Sequence, residues 1–400
     1  MELLAINGGN KTKTKEFPKW PYSDEREKEL ITEVFDSGNW WRMTGNKIDT
    51  FEKKFAKLHD VKYCLCVTNG THAIELALAT LGVGRGDEVI VPAVTFISTG
   101  SAVIYANAKP VLVDIDTETF CMLPEAFEKA ITKNTKAVIP VHMAGHACDM
   151  ERICEIAKKY NIKVIEDAAH AHGAKFNDKR IGSYGDMATF SFQNGKIMTC
   201  GEGGALITNS EDLYNKAYLI HSVGRPAGDK IYEHALLGSN YRLNEFCAAI
   251  LIAQQERLEV MNETRAKNAA ILDKLLSKIK GIIPQKNKTY ATINTHYMYM
   301  FYYDSKQFNN LSRKDFVDYL NAEGIPAYIC FPVLSETTFF KNKDFCGKIK
   351  NYANREKIPN ARKIANEVVW LPHYTLLGDE NDLKEIVLAI SKIQNFSNRK

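Results

Sequence analysis

Lys196 lies in Ser191-Phe-Gln-Asn-Gly-Lys-Ile-Met-Thr-Cys-Gly-Glu-Gly-Gly204, between the apolar runs 187–192 and 205–208. The runs predict two strands, so the lysine sits on a short connection between them. Glycines crowd both sides of it and let a bulky group come close to the backbone. Earlier in the chain, Val164-Ile-Glu-Asp167-Ala-Ala-His170 reads as an apolar strand ending in an acid. An amine in a glycine-lined loop and an acid at a buried strand end suit pyridoxal phosphate. The amine forms a Schiff base and the acid keeps a pyridine nitrogen protonated. Each residue also has an ordinary reading: Asp167 as a strand-end cap and Lys196 as a solvent-exposed loop lysine.

A third segment adds to the pair. Asn69-Gly70-Thr71 joins a strand at Tyr63–Val67 to a helix over 71–81. Backbone N–H groups at such a helix start favour a phosphate. The same tripeptide also serves as a plain N-cap through Thr71. His142 and His146 are spaced i, i+4, and His170 and His172 alternate. Neither pair offers three or four convergent ligands, and no metal is expected. Cys64 and Cys66 share one face of their strand and read as core.

The elements around these residues alternate. Strands are expected at 63–67, 88–91, 110–114, 136–141 and 163–167. Helices are expected at 22–36, 45–59, 71–81, 98–105, 124–132 and 149–160. That alternation predicts an α/β fold with a mostly parallel sheet covered by helices, and ligands at the carboxyl ends of the strands. A long helical pattern over 243–280 follows. A strand at 297–303, a helix at 312–322, a strand at 326–331 and helices at 355–367 and 380–394 then suggest a smaller α+β unit. The chain is divided accordingly into residues 1–265, a large cofactor-binding domain with its N-terminal segment, and residues 266–400.

Length and composition exclude several classes. Four hundred residues are long for one core. Apolar residues make up 45% and charged residues 25%, as in a soluble globular chain. The 52 basic and 48 acidic residues are dispersed, and no stripe for nucleic acid emerges. The basic start over 11–19 reads as a solvated segment. Nine cysteines without a pairing pattern point to a reducing, cytoplasmic compartment. No signal peptide or membrane span is expected.

The chain resembles the DegT/DnrJ/EryC1/StrS aminotransferases, a family of fold type I pyridoxal phosphate enzymes. The resemblance rests on Asn69-Gly-Thr71, Gly86-Asp-Glu-Val-Ile-Val-Pro92, Thr95-Phe96, the Val164 to Gly173 segment, Ser191-Phe-Gln-x-x-Lys196, Gly201-Glu-Gly-Gly204, Gly238-x-Asn240-Tyr-Arg242 and Leu371-Pro-His-Tyr374. It implies pyridoxal 5'-phosphate held covalently on Lys196, with Lys196 also shuttling the proton. Asp167 would pair with the pyridine nitrogen and Phe96 would stack on the ring. Gly70, Thr71 and Ser191 would bind the phosphate, and His170 would lie near the phenolic oxygen. Asn240 would reach the phosphate in the neighbouring subunit, which implies a homodimer with shared active sites. Family members that dehydrate sugars carry histidine in place of the lysine, so Lys196 favours amination.

Ala5-Ile-Asn-Gly-Gly9, Phe17-Pro-x-Trp-Pro21 and Ser37-Gly-Asn-Trp-Trp41 resemble the branch of ketocyclitol aminotransferases and 3-amino-5-hydroxybenzoate synthases. The resemblance implies a polyhydroxylated ring ketone of a sugar or cyclitol as acceptor, with L-glutamine or L-glutamate as donor. The alternatives are a nucleotide-sugar aminotransferase, a dehydratase of the 3-amino-5-hydroxybenzoate synthase type and a non-catalytic cofactor-binding regulator. Trp40, Trp41, His221, Arg225 and Tyr328 are candidates for the acceptor wall, and 224–238 and 335–350 for acceptor loops.

Overall fold

The computed structural model describes residues 3–341 and 357–398. Its strands in chain order are β1 (Tyr63–Val67), β2 (Glu88–Pro92), β3 (Lys109–Val113), β4 (Thr135–Val138), β5 (Lys163–Asp167), β6 (Lys175–Phe176), β7 (Lys179–Arg180), β8 (Met187–Ser191), β9 (Gly204–Thr208), β10 (Ile282–Pro284), β11 (Met298–Tyr303), β12 (Tyr328–Ile329) and β13 (Val368–Pro372). Seven of them form one sheet in the order β1-β9-β8-β5-β4-β2-β3. The pairs β3–β2, β2–β4, β4–β5 and β5–β8 are parallel, and β9 runs antiparallel to both neighbours. The fold is α/β with a mostly parallel central sheet, as expected. β2, β8 and β9 are buried along their whole length, and helices cover such strands on both faces.

Parallel strands end at one edge of the sheet, and Asp167 and Ser191 are the last residues of β5 and β8. Ser191 pairs with Gly204, so residues 192–203 form the connection that carries Lys196. A Cβ on Gly204 would meet the Asn69 carbonyl at 2.5 Å, and one on Gly70 would meet the Ser191 Cβ at 2.7 Å. Glycine is required because the lysine connection is pressed onto the turn after β1.

Several boundaries differ from the sequence reading. The helix expected at 71–81 is Gly70–Thr80, and its cap is Asn69, whose Oδ1 accepts from the His72 N–H at 2.8 Å. Thr71 is therefore not the cap. β4 ends at Val138 rather than 141, since Pro140 has no N–H to donate to a ladder. A helix at Glu211–His221 occupies a stretch left unassigned in the sequence. Its signals are the Ser210 side chain capping the Leu213 N–H and acids at Glu211 and Asp212. The expected strand at 326–331 is two residues long in β12. The helix expected at 355–367 is described as Pro359–Glu367, and residues 355–356 lie outside the described residues.

The second sheet has the order β10-β11-β13-β12, all antiparallel. Its side chains alternate between two cores. Met298 and Met300 of β11 and Val368 of β13 join the core of the large sheet. Tyr299, Phe301, Tyr303, Val369 and Leu371 face a separate core with the helices Arg313–Ala322 and Glu380–Ser397. Period-two alternation thus buries both faces of this sheet. The long helix Glu245–Leu276 passes from one core to the other, with Leu258 in the first and Ala269 in the second. The N-terminal segment packs on the second core. Leu4 joins that core, and Lys13 binds Asp382 at 2.6 Å and Glu385 at 2.8 Å.

Candidate active site

Successive side chains of a strand point to opposite faces, and β5 ends in two acids, Glu166 and Asp167. Glu166 faces away from the strand-end cleft. It binds His142 Nε2 at 3.2 Å and accepts from the N–H groups of Gly182, Tyr184 and Gly185 at 2.7–2.9 Å. Burial alone would raise its pKa, but these partners hold the carboxyl below the ordinary value. Asp167 faces the cleft and is 5% exposed. Its Oδ2 accepts from Thr99 Oγ1 at 2.8 Å and its Oδ1 from the Ala169 N–H at 3.2 Å. Burial raises its pKa despite both bonds. Among the described residues no cation lies within ion-pair distance of it.

Lys196 projects from the β8–β9 connection toward the same cleft. Its Nζ lies 4.4 Å from the centroid of the Tyr297 ring. Among the described residues it forms no salt bridge. Burial lowers its pKa to about 8, and the charge of Asp167 only partly opposes that. About a tenth of Lys196 is therefore free amine at pH 7, far more than for an ordinary lysine, and in that form it can act as a nucleophile or take a proton.

The turn after β1 supplies a third component. Because Asn69 caps the helix through His72, the N–H groups of Gly70 and Thr71 have no acceptor among the described residues. Thr71 Oγ1 and Ser98 Oγ share a hydrogen bond of 2.7 Å. Ser191 stands opposite Gly70. These donors and the helix dipole form a cradle for a dianion. Phe96 caps the helix Ile97–Tyr105 and is 53% exposed, an open aromatic face at the cleft. His170 stacks on Tyr297 with ring centroids 4.4 Å apart, and its buried Nδ1 has no partner. Burial, and next Lys196, drive its pKa well below the ordinary value, so the ring is neutral.

These groups line one cavity of about 900 Å³. It unites Gly70, Thr71, Phe96, Asp167, His170, Ser191 and Lys196, from segments far apart in the chain. Asn240 lies outside that lining and is exposed, with its Oδ1 accepting from the Arg242 N–H at 3.3 Å. Trp40, Trp41, His221, Arg225 and Tyr328 also lie outside it. His221 is fully buried and pushed down to about 3 by burial, so in this chain it is a packing residue and not a wall of the cavity. Arg225 pairs with Asp229 at 2.7 Å. Tyr328 stacks on Trp370, which does line the cavity. Of the 335–350 loop, residues 342–350 lie outside the described residues.

Sequence reasoning missed Thr99, Tyr297, Phe331 and Trp370, all of which line the cavity. Thr99 lies in the first turn of the helix Ile97–Tyr105, and its Oγ1 stands 3.1 Å from that of Thr95, just before the helix. Tyr297, Phe331 and Trp370 arrive from the far end of the chain, and no local pattern marks them.

His142 and His146 bind protein groups. His142 Nδ1 accepts from the Cys148 N–H at 3.1 Å, and His146 Nε2 accepts from the Lys288 N–H at 3.2 Å. Among the described residues no helix is long and apolar enough to cross a membrane.

A family model described as the DegT/DnrJ/EryC1/StrS aminotransferase family matches residues 21–391. The chain is 42% identical to the 3-amino-5-hydroxybenzoate synthase of Amycolatopsis mediterranei (strain S699), covering 94% of this chain and 96% of that protein. It is 35% identical to the L-glutamine:2-deoxy-scyllo-inosose aminotransferase of Micromonospora echinospora, covering 100% and 99%. A crystal structure of 3-amino-5-hydroxybenzoic acid synthase superposes with a TM-score of 0.88 at 40% identity, covering 95% of this chain and 99% of the other.

Proposed function

The chain belongs to the DegT/DnrJ/EryC1/StrS aminotransferase family of pyridoxal phosphate-dependent transaminases, and from that premise we propose that it aminates a ring ketone of a sugar or cyclitol with L-glutamine or L-glutamate as donor. One observation carries the reading. A lysine amine brought down to about 8 and a buried acid with no cation of its own share one cavity with an unclaimed phosphate cradle. The residues fit the cofactor. Asp167 lacks the cation that a protonated pyridine ring provides, and the Gly70 and Thr71 N–H groups lack an anion.

Bound there, pyridoxal phosphate supplies an electron-accepting ring to stabilise the charge left when a substrate Cα proton departs. Asp167, held by Thr99 and the Ala169 N–H, keeps its carboxylate aimed at the ring nitrogen. Gly70, Thr71 and Ser191 would hold the phosphate, Phe96 would cover one ring face, and His170 would lie near the phenolic oxygen. Lys196 would be the point of covalent attachment, and its freed amine would take the substrate Cα proton and pass it to the cofactor's carbonyl carbon. Asn240 acts on the cofactor of a second copy, so the enzyme is a homodimer with shared sites. A mixed dimer of Lys196→Ala and Asn240→Ala chains then regains activity that neither parent dimer has. The same reading places the unit boundary near residue 265, which the handover between two cores along the long helix supports.

Lys196 is the sole lysine or arginine among the described lining residues, and Glu75 and Glu202 also face the cavity. This balance supports an acceptor without a nucleotide diphosphate. The test is absorption spectroscopy of the yellow protein with glutamine or glutamate, followed by a panel of keto-cyclitols and nucleotide keto-sugars with labelled donor. No spectral change with either donor sinks the proposal. A second reading, dehydration of an aminated ring, is favoured by the 42% identity to a 3-amino-5-hydroxybenzoate synthase. Mass spectrometry of the product separates loss of water from gain of nitrogen.

A further inference from the structure

Arg265 of the long helix is fully buried, and no carboxylate pairs with it among the described residues. Other buried cations differ. Arg42 binds Glu52 and Lys13 binds Asp382. Arg265 Nε and Nη1 have no partner, and its hydrogen bond runs from Nη2 to Asn262 Oδ1 at 2.9 Å. A buried guanidinium is expensive to keep, so its single contact is informative.

That contact fixes a chain of donors and acceptors. Arginine can only donate, so Asn262 must turn its Oδ1 toward Arg265 and its Nδ2 the other way. Nδ2 donates to the His172 carbonyl at 3.0 Å. Gly173 permits the approach, since a Cβ there would stand 3.1 Å from Asn262 Nδ2. The His172 side chain continues the chain, with Nε2 at 2.9 Å from the Ser191 carbonyl. A carbonyl can only accept, so Nε2 carries the proton. Burial keeps the ring neutral, and Nδ1 is left bare and unpartnered.

The backbone of His172 belongs to the turn that follows Asp167, and its side chain grips the base of the Lys196 connection. We propose that Arg265, Asn262 and His172 form a positioning relay that sets the separation and the dryness of the Asp167 and Lys196 segments. The proposal rests on the assignment of Asp167 and Lys196 as the working pair. None of the three residues lines the cavity, so they act through what they hold.

The test uses the full-length protein freed of cofactor. The pH dependence of trinitrobenzenesulfonate labelling at Lys196, mapped by mass spectrometry, reads the amine directly. In the parent the midpoint falls near 8. In His172→Phe the connection loosens and hydrates, and the midpoint rises by about half a unit or more. His172→Gln, whose amide nitrogen can replace Nε2, restores the parent midpoint. Arg265→Met and Asn262→Ala shift it in the same direction as His172→Phe. In the loaded enzyme, kcat of His172→Phe falls about tenfold or more while acceptor KM stays within about twofold. A labelling midpoint that is unchanged in all three disrupted variants, with melting temperatures that fall equally in His172→Phe and His172→Gln, overturns the relay. The labelling readout needs no cofactor, whereas a colourless parent protein would sink the transaminase reading alone.

Discussion

The two faces of the sheet at the end of β5 treat neighbouring acids in opposite ways. Behind the sheet, Glu166 is saturated by one imidazole and three backbone N–H groups. In front, Asp167 has one hydroxyl and one N–H, and the nearby Lys196 has no salt-bridge partner among the described residues. The back is complete as folded, and its charges hold the turn Gly182–Gly185 against the strand. The front leaves Asp167 without a cation and the Gly70 and Thr71 N–H groups without an acceptor among the described residues. At this strand end the matched acid serves as a structural joint, and the acid left without a cation is the one that faces the cavity.

The sharpest way to break this contrast is to remove the front amine. Lys196→Ala should lower turnover by at least about a thousandfold while leaving the melting temperature of the cofactor-free protein unchanged. Turnover of stable protein, followed with labelled glutamine, checks both halves.

Swapping the acids tests the contrast in stability. Glu166→Gln turns an amide NH2 toward backbone N–H donors and should cost about 2–3 kcal/mol in denaturant melts. Cofactor-free Asp167→Asn should melt no lower than the parent, because it removes a buried charge with no cation. Their pH trends should also oppose. Glu166 titrates below its ordinary value of 4.5, so its stabilisation is present above 4.5 and lost as pH falls below that. Asp167 titrates above its ordinary 3.8, so its effect is a loss of stability as pH rises from 3.8 through the raised value. Melts of each variant against the parent across acidic pH separate the two.

A smaller effect concerns rate. The cofactor-free protein should capture pyridoxal phosphate faster as pH rises, levelling off above about 8, the value to which burial brings Lys196. Stopped-flow absorbance reads this, and a profile still climbing toward the ordinary lysine value would place the amine in solvent. The mildest change is Phe96→Leu, which loses ring stacking of about 1 kcal/mol and should weaken cofactor binding about fivefold in equilibrium titration.

Much of this was readable in the chain because the site is built from strand ends. Apolar runs and their punctuation place Asp167, Ser191 and Gly70 at one edge of a parallel sheet before any contact is known. The glycines around Lys196 are legible as a need for close approach, but not as the contact of Gly204 with Asn69, which is distant in sequence. Tyr297 and Trp370 were hidden for the same reason, as was His172, whose role depends on Asn262 and Arg265 from the long helix. The helix Glu211–His221 carries ordinary capping signals, Ser210 followed by Glu211 and Asp212. His221 shows the reverse failure: a residue type suited to chemistry, placed where only packing reaches it.

The second sheet, with Met298 and Met300 on one side and Tyr299 and Phe301 on the other, has a consequence for how the protein comes apart. Neither core can open without stripping one side of that sheet, and a slip of one residue would exchange every side chain between the two. The C-terminal third therefore has no free-standing native form to fall back on, and the chain should melt in one cooperative step despite its length. Heat would destroy the reaction chamber and the fold together, leaving no folded remnant that still carries an intact Lys196 pocket.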